Sequence, residues 1–387
     1  MTSFTQRICL FTIILLAALS ASAEEKYDFI VAADGSGTHT TVQAAVNDVP
    51  DYRKSGPTRI LIRRGTYHEK LVVPASKEYV WLVGEEGTVI SYDDFAQKPN
   101  RFGENIGTSG SASAFIFGRN FHADNITFEN ASGPVGQAVA CFVAADRSVF
   151  RHCRFLGHQD TLYTFDPNSR QYYEDCYIEG TVDFIFGKAT AYFLRCQLHS
   201  LSNGYLTAPA TPEGHRYGYV FRDCKMTAAE GINKVYFSRP WRPCARCVFI
   251  HCDLGAHILP QGWHNWGNPA NEKTVLYAEY DNYGPGADTA WRASFGRQLT
   301  SDNGYDVATA LAGYDGWNPT THQYPLIPHE TIPFVCHRIA LHGYWSLGSA
   351  ASVYLHLVPR AGHRRTALHL QSRRLAVAAG RRHLAKT

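Results

Sequence analysis

Apolar and polar residues alternate along most of this chain in short runs that end at Gly, Asn or Asp. The stretches TRILIRRGTYHEKLVV (58–73), EYVWLVGEEGTVIS (78–91) and NFHADNITFENAS (120–132) read as strands closed by tight turns. One segment keeps a different period. In TVQAAVNDVP (41–50) the apolar residues Val42, Ala45, Val46 and Val49 recur at helical spacing, which predicts a single short amphipathic helix near the N-terminus.

Further along, the pattern repeats itself. FRHCRF (150–155), YEDCYI (173–178), FLRCQL (193–198), FRDCKM (221–226) and FIHCDL (249–254) align without gaps, each with an aromatic residue three positions before its Cys. The Cys separations are 23, 20, 28 and 28 residues. Short strands at such a period, with no helices between them, predict an all-β solenoid, a parallel β-helix whose equivalent residues stack coil on coil. The helix at 41–50 would cap its open end. Cys153, Cys176, Cys196, Cys224 and Cys252 then form an inward ladder of small apolar side chains, although pairing among some cysteines stays open. PCARCVFIHC (243–252) lacks a fourth ligand at zinc spacing, so no metal is expected.

The two ends differ from the middle. Arg7, the apolar run from Ile8 to Leu19 and Ala21-Ser22-Ala23 before Glu24 have the form of a secretory signal at 1–23, which makes the chain secreted or periplasmic. No other stretch is apolar enough to cross a membrane. The tail, 324–387, holds nine Lys/Arg against Glu330 and seven of the 18 His, without strand or helix periodicity. It is expected to be poorly ordered, with a polyanion-binding arm as the alternative. Of the net +3, the tail supplies +8 and Arg7 one more, leaving 24–323 at −6. That balance excludes nucleic acid as the main partner. Residues 24–323 are expected to form one domain, working as a monomer.

Within that domain GTVDFIFG (180–187) sets Asp183 among apolar residues, where an unpaired carboxylate costs several kcal/mol. The Cys ladder locates a partner. Asp183 lies seven residues after Cys176 and Asp160 seven after Cys153, so the two acids stand on neighbouring coils, roughly 5 Å apart. A further 23 residues back is Gln137, which the same spacing places on the same face. Two such carboxylates cannot both ionise cheaply, so one keeps its proton. SRPWRP (238–243) offers Arg239 as the cation for the charged one.

GTYHE (65–69), GQAVA (136–140), GHQDTLY (157–163), GTVDFIFG (180–187) and SRPW (238–241), in this order, resemble the pectin methylesterases over about residues 27 to 318. The resemblance implies a right-handed parallel β-helix that removes methyl groups from the galacturonate esters of pectin without a metal or cofactor. It makes Asp183 the nucleophile, Arg239 its counter-ion, Asp160 the acid and then base, and Gln137 and Gln159 the oxyanion donors. Trp241, Tyr163, Phe186 and Val182 would line the substrate cleft. Ser238 stands where the family usually has Gly, and nothing in the family matches the basic tail. A glycosidase on the same scaffold, such as a polygalacturonase, and a non-catalytic pectin-binding β-helix are the competing readings. NIT at Asn125 and NAS at Asn130 are glycosylation sequons, relevant only in a eukaryotic host.

Overall fold

The computed structural model describes residues 27–54 and 56–321; the signal segment 1–23 and the tail 324–387 lie outside them. The strands form three parallel sheets of eleven, seven and eight members. One coil contributes Ser148–Arg151, Arg154–Leu156 and Leu162–Thr164, one strand to each sheet. The next contributes Arg170–Glu174, Tyr177–Gly180 and Ile185–Gly187, paired in parallel with the first. The result is a right-handed parallel β-helix.

The Cys repeat marks one corner of this solenoid. Each repeat Cys follows a residue in the left-handed region, His152, Asp175, Arg195, Asp223 or His251, with φ between 50° and 54°. This single residue turns the chain from the eleven-stranded into the eight-stranded sheet. The thiols point inward and are buried, and Cys153 Sγ donates to Ala123 O of the coil below at 3.5 Å. All eight cysteines among the described residues are free, so the ladder packs without crosslinks. The aromatic three positions earlier stacks as well: Phe150, Tyr173, Phe193, Phe221 and Phe249 follow one another at ring separations of 5.0, 4.7, 4.5 and 4.6 Å. Near-parallel contacts of this kind add to the burial of large apolar rings.

The predicted helix is Val42–Asp48, with Val42, Ala45 and Val46 buried over the first coils. Thr41 caps it, accepting from Ala44 N at 3.2 Å. Glu69, the last residue of GTYHE, accepts from Val42 N and Gln43 N at 2.8 and 2.9 Å. Two amides that no helical carbonyl can reach are thereby satisfied. Glu69→Ala should lower stability by about 1 to 2 kcal/mol, a shift readable as a lower urea midpoint at unchanged slope.

At the other end, residues after the helix Val307–Leu311 return to the side of the solenoid. Arg170, only 8 % exposed, donates to Asp146, to the Asp315 carboxylate and to the carbonyls of Leu311 and Ala312. Arg151 adds a bond to Pro319 O at 2.8 Å. The Arg170 guanidinium holds the Asp315 carboxyl at about 2, below its usual range. Among the described residues no helix is long and apolar enough to cross a membrane.

Candidate active site

The seven-stranded sheet runs, in order, through Val235–Ser238, Gly204–Pro209, Ile185–Gly187, Leu162–Thr164, Cys141–Val143, Ala114–Ile116 and Leu71–Val73. Its outer face carries the site. Leu162 pairs with Ile185, so Asp160 and Asp183, each two residues earlier, stand opposite one another on adjacent coils. Their backbones are tied coil to coil, Asp160 N donating to Val182 O at 3.2 Å and Asp183 N to Tyr205 O at 2.9 Å. Both acids adopt positive φ, 68° and 52°. Asp tolerates the left-handed region better than most residues do. The kink ends the strand alternation, which is why Phe184 and Ile185 both enter the core while Phe186 joins the outer aromatic cluster. An acid can therefore sit inside an apolar run: it occupies a turn, and the strand begins only at Ile185.

Arg239 reaches Asp183 with two nitrogens, Nε at 2.9 Å from Oδ1 and Nη2 at 2.7 Å from Oδ2. Its guanidinium is held between the rings of Tyr205 and Trp266, 4.1 and 3.9 Å from their centres. Nothing in the local sequence points to these two rings. Their signal is spatial, since Trp266 is 27 residues further on. Burial pushes the Asp183 carboxyl up, the Arg239 bonds and charge pull it back, and the net direction is upward. Asp160 is pushed much further, to about 8, by burial first and by the Asp183 charge second, against a smaller pull from Arg239. Of the two acids, Asp160 therefore holds its proton more tightly and Asp183 ionises more readily.

Gln137 departs from the even spacing. It pairs with Gln159 rather than with Asp160, and the offset to the next coil falls to 21 residues at Cys141, which faces Leu162. Ala140 N and Cys141 N both donate to Thr161 O, at 2.8 and 3.3 Å. This bulge absorbs a residue, so Gln137, Asp160 and Asp183 occupy three successive coils but not one straight line. The two glutamines are paired through their backbones on adjacent coils, Gln159 directly preceding Asp160 in the chain.

Tyr163 and Phe186 stack at 4.1 Å, with Trp241 at 6.2 and 5.8 Å from them. Val182 adjoins both acids, its carbonyl receiving Asp160 N. The aromatic surface continues beyond these four residues through Phe142, Phe165 and Phe115 to Phe117, 36 % exposed. No motif in the sequence marks this extension. Ser238 turns inward, fully buried, and donates to Tyr277 OH at 3.1 Å, so the hydroxyl is absorbed by the core and Arg239 is left undisturbed. Asn130 is also buried, its amide donating to Asp94 O and Val139 O at 2.8 and 3.0 Å; in the folded chain it serves as a structural pin, with no room for a glycan. No group of three or more His, Cys, Asp or Glu is placed to hold a metal ion among the described residues.

Comparison with known proteins places the chain among pectinesterases in sequence and fold. A family model described as Pectinesterase matches residues 28–308. Pectinesterase 31 of Arabidopsis thaliana is 38 % identical over 320 residues, covering 80 % of this chain and 96 % of that protein. Among solved structures, pectin methylesterase from carrot aligns with a TM-score of 0.70 at 32 % identity, covering 76 % of this chain and 95 % of that one. A pectin methylesterase mutant in complex with a hexasaccharide aligns with a TM-score of 0.66 at 29 % identity, over 76 % of this chain and all of that one.

Proposed function

This chain belongs to the pectinesterase family, and from that membership we infer its chemistry: it hydrolyses the methyl esters of galacturonate units in pectin and releases methanol. The observation that carries the detailed mechanism is the pairing of a proton-holding Asp160 with an Arg239-bound Asp183 on adjacent coils.

Asp183 attacks the ester carbonyl while the carbonyl oxygen gains negative charge. Amide hydrogens of Gln137 and Gln159 receive that charge, a contribution typically of about 3 kcal/mol to the barrier. Asp160 passes its proton to the departing methoxy oxygen, so methanol leaves neutral and an acyl anhydride on Asp183 remains. Asp160, now a carboxylate, takes a proton from water, and the hydroxide cleaves the anhydride, returning both acids to their starting states. Burial and the neighbouring charge keep Asp160 protonated for the first step, and the Arg239 bonds favour the charged Asp183 that the attack requires. Tyr163, Phe186, Trp241 and Val182 supply a flat apolar wall for the sugar rings.

Methanol release from highly methylated pectin by the purified chain tests this reading. New reducing ends without methanol would make it a glycosidase, and binding without either product a non-catalytic pectin-binding protein. The enzyme acts as a monomer outside the cell or in the periplasm, with pectin as its partner and no membrane or nucleic acid. The basic segment after residue 323 is dispensable, because the contacts of Arg170 and Arg151 with residues 311–319 tie the chain back to the side of the solenoid before it. A chain ending at 323 should keep its cooperative unfolding and methanol release; loss of either would show that the segment packs on the body.

A further inference from the structure

We propose that Gln97 is a positioning residue that decides which end of the Gln137 carboxamide faces the substrate; this rests on the reading of Gln137 as an oxyanion donor. Gln97 lies in the loop between the strand Thr88–Tyr92 and the helical turn Gly107–Gly110, and it has no place in the mechanism above. Its Nε2 donates to Gln137 Oε1 at 3.1 Å.

The loop is held against the Gln137 backbone by bonds that do not involve the Gln97 side chain. Ala96 N donates to Gln137 O at 2.8 Å, and Gly107 N to Ala96 O at 2.9 Å. Asp94, three residues before Gln97, is pinned through its carbonyl by Asn130 at 2.8 Å and through its carboxylate by Lys70 and Lys98. Gly136 leaves space for the approach: a Cβ there would lie 3.2 Å from Gln97 Oε1, at a φ of +105°. Gln97 is therefore presented to Gln137 by fixed backbone.

A carboxamide has an accepting end and a donating end. With Oε1 engaged by Gln97, the NH2 of Gln137 is left to point toward the ester oxygen. Turned over, the same side chain would present its own oxygen to a developing oxyanion and raise the barrier. Gln97 thus sets the sign of the Gln137 dipole at the place where charge develops, without touching the substrate.

The test compares Gln97→Glu with Gln97→Ala, each alone and in a Gln137→Ala background. A carboxylate at position 97 only accepts, so it draws the Gln137 NH2 toward itself. Gln97→Glu should lower kcat by about tenfold or more at nearly constant KM, whereas Gln97→Ala, which frees the amide without reversing it, should cost about threefold. In the Gln137→Ala background neither change should lower kcat further. Protonation of the introduced carboxylate restores a donor, so the deficit of Gln97→Glu relative to wild type should shrink on the acid side. Melting temperatures of all variants check folding. Equal losses for the two substitutions, or losses that persist without Gln137, would overturn the positioning role. A Gln137→Ala enzyme with wild-type kcat would overturn the oxyanion assignment and this role together, a distinguishable result.

Discussion

Asp183→Ala is expected to lower kcat by about a thousandfold or more, and Arg239→Ala by nearly as much, at neutral pH. The first removes the atom to which the proposed mechanism gives the attack. The second leaves a buried acid, its side chain 7 % exposed, without the two bonds that favour its ionised form. Breaking one side of such a pair costs about 3 to 5 kcal/mol unless the remaining group neutralises itself. Burial is already the largest influence on Asp183 and acts upward, so without Arg239 the carboxyl should take a proton. The two variants then separate by pH: the acid limb of kcat/KM should move to higher pH in Arg239→Ala, with activity partly recovered on the alkaline side, while Asp183→Ala stays flat and inactive. Arg239→Lys should not rescue fully, since a lysine cannot form the two-pronged contact or fill the slot between Tyr205 and Trp266. Near-normal methanol release from Asp183→Ala, with Asp160→Ala inactive, would reverse the assignment of nucleophile.

Asp160→Asn should abolish turnover and yet stabilise the protein, and the stabilisation should depend on pH. In the folded state the Asp160 carboxyl titrates at about 8, far above its unfolded value of 3.8. A raised folded pKa contributes stability that is complete below the unfolded pKa and is lost as pH rises toward the folded one. Between pH 4 and 8 the unfolded chain has released a proton that the folded chain still holds, so wild type loses about 1.4 kcal/mol per pH unit from this group. Asparagine carries no such proton. Melting temperatures of the two proteins should lie close together near pH 4, diverge in favour of Asp160→Asn up to about 8, and run parallel above it. A constant gap across that range would mean that Asp160 is not held protonated. The same environment that suits this acid to the proposed proton transfer is thus a standing cost to the fold.

Much of this was legible before any coordinates. The Cys repeat is visible because five coils in a row set a Cys directly after the left-handed corner residue, a place that Ile126 fills on the coil before them. Counting from that corner places Asp160 and Asp183 together because both coils contain the same number of residues between the Cys and the acid. Counting back another coil fails at Gln137, where the bulge at Ala140 and Cys141 changes the register; nothing in GQAVA announces it. Tyr205, Trp266 and Gln97 were missed for another reason. They reach the site from different coils and a long loop, and no local period connects residues whose proximity is created by the winding itself.

A stack of coils in which each touches only its neighbours can unfold from either end, one layer at a time. The bonds from Arg170 and Arg151 to residues 311–319 change that, because they join positions 141 to 168 residues apart in the chain. They act as a latch across several layers, so fraying of the C-terminal coils must first break contacts made in the middle of the molecule. Asp315→Asn, by loosening the latch, should turn a single unfolding transition into a broader, staged one. During synthesis the order is imposed in the other direction: the capped N-terminal coils can stack as they emerge, and the latch can close only after the last coil has been made.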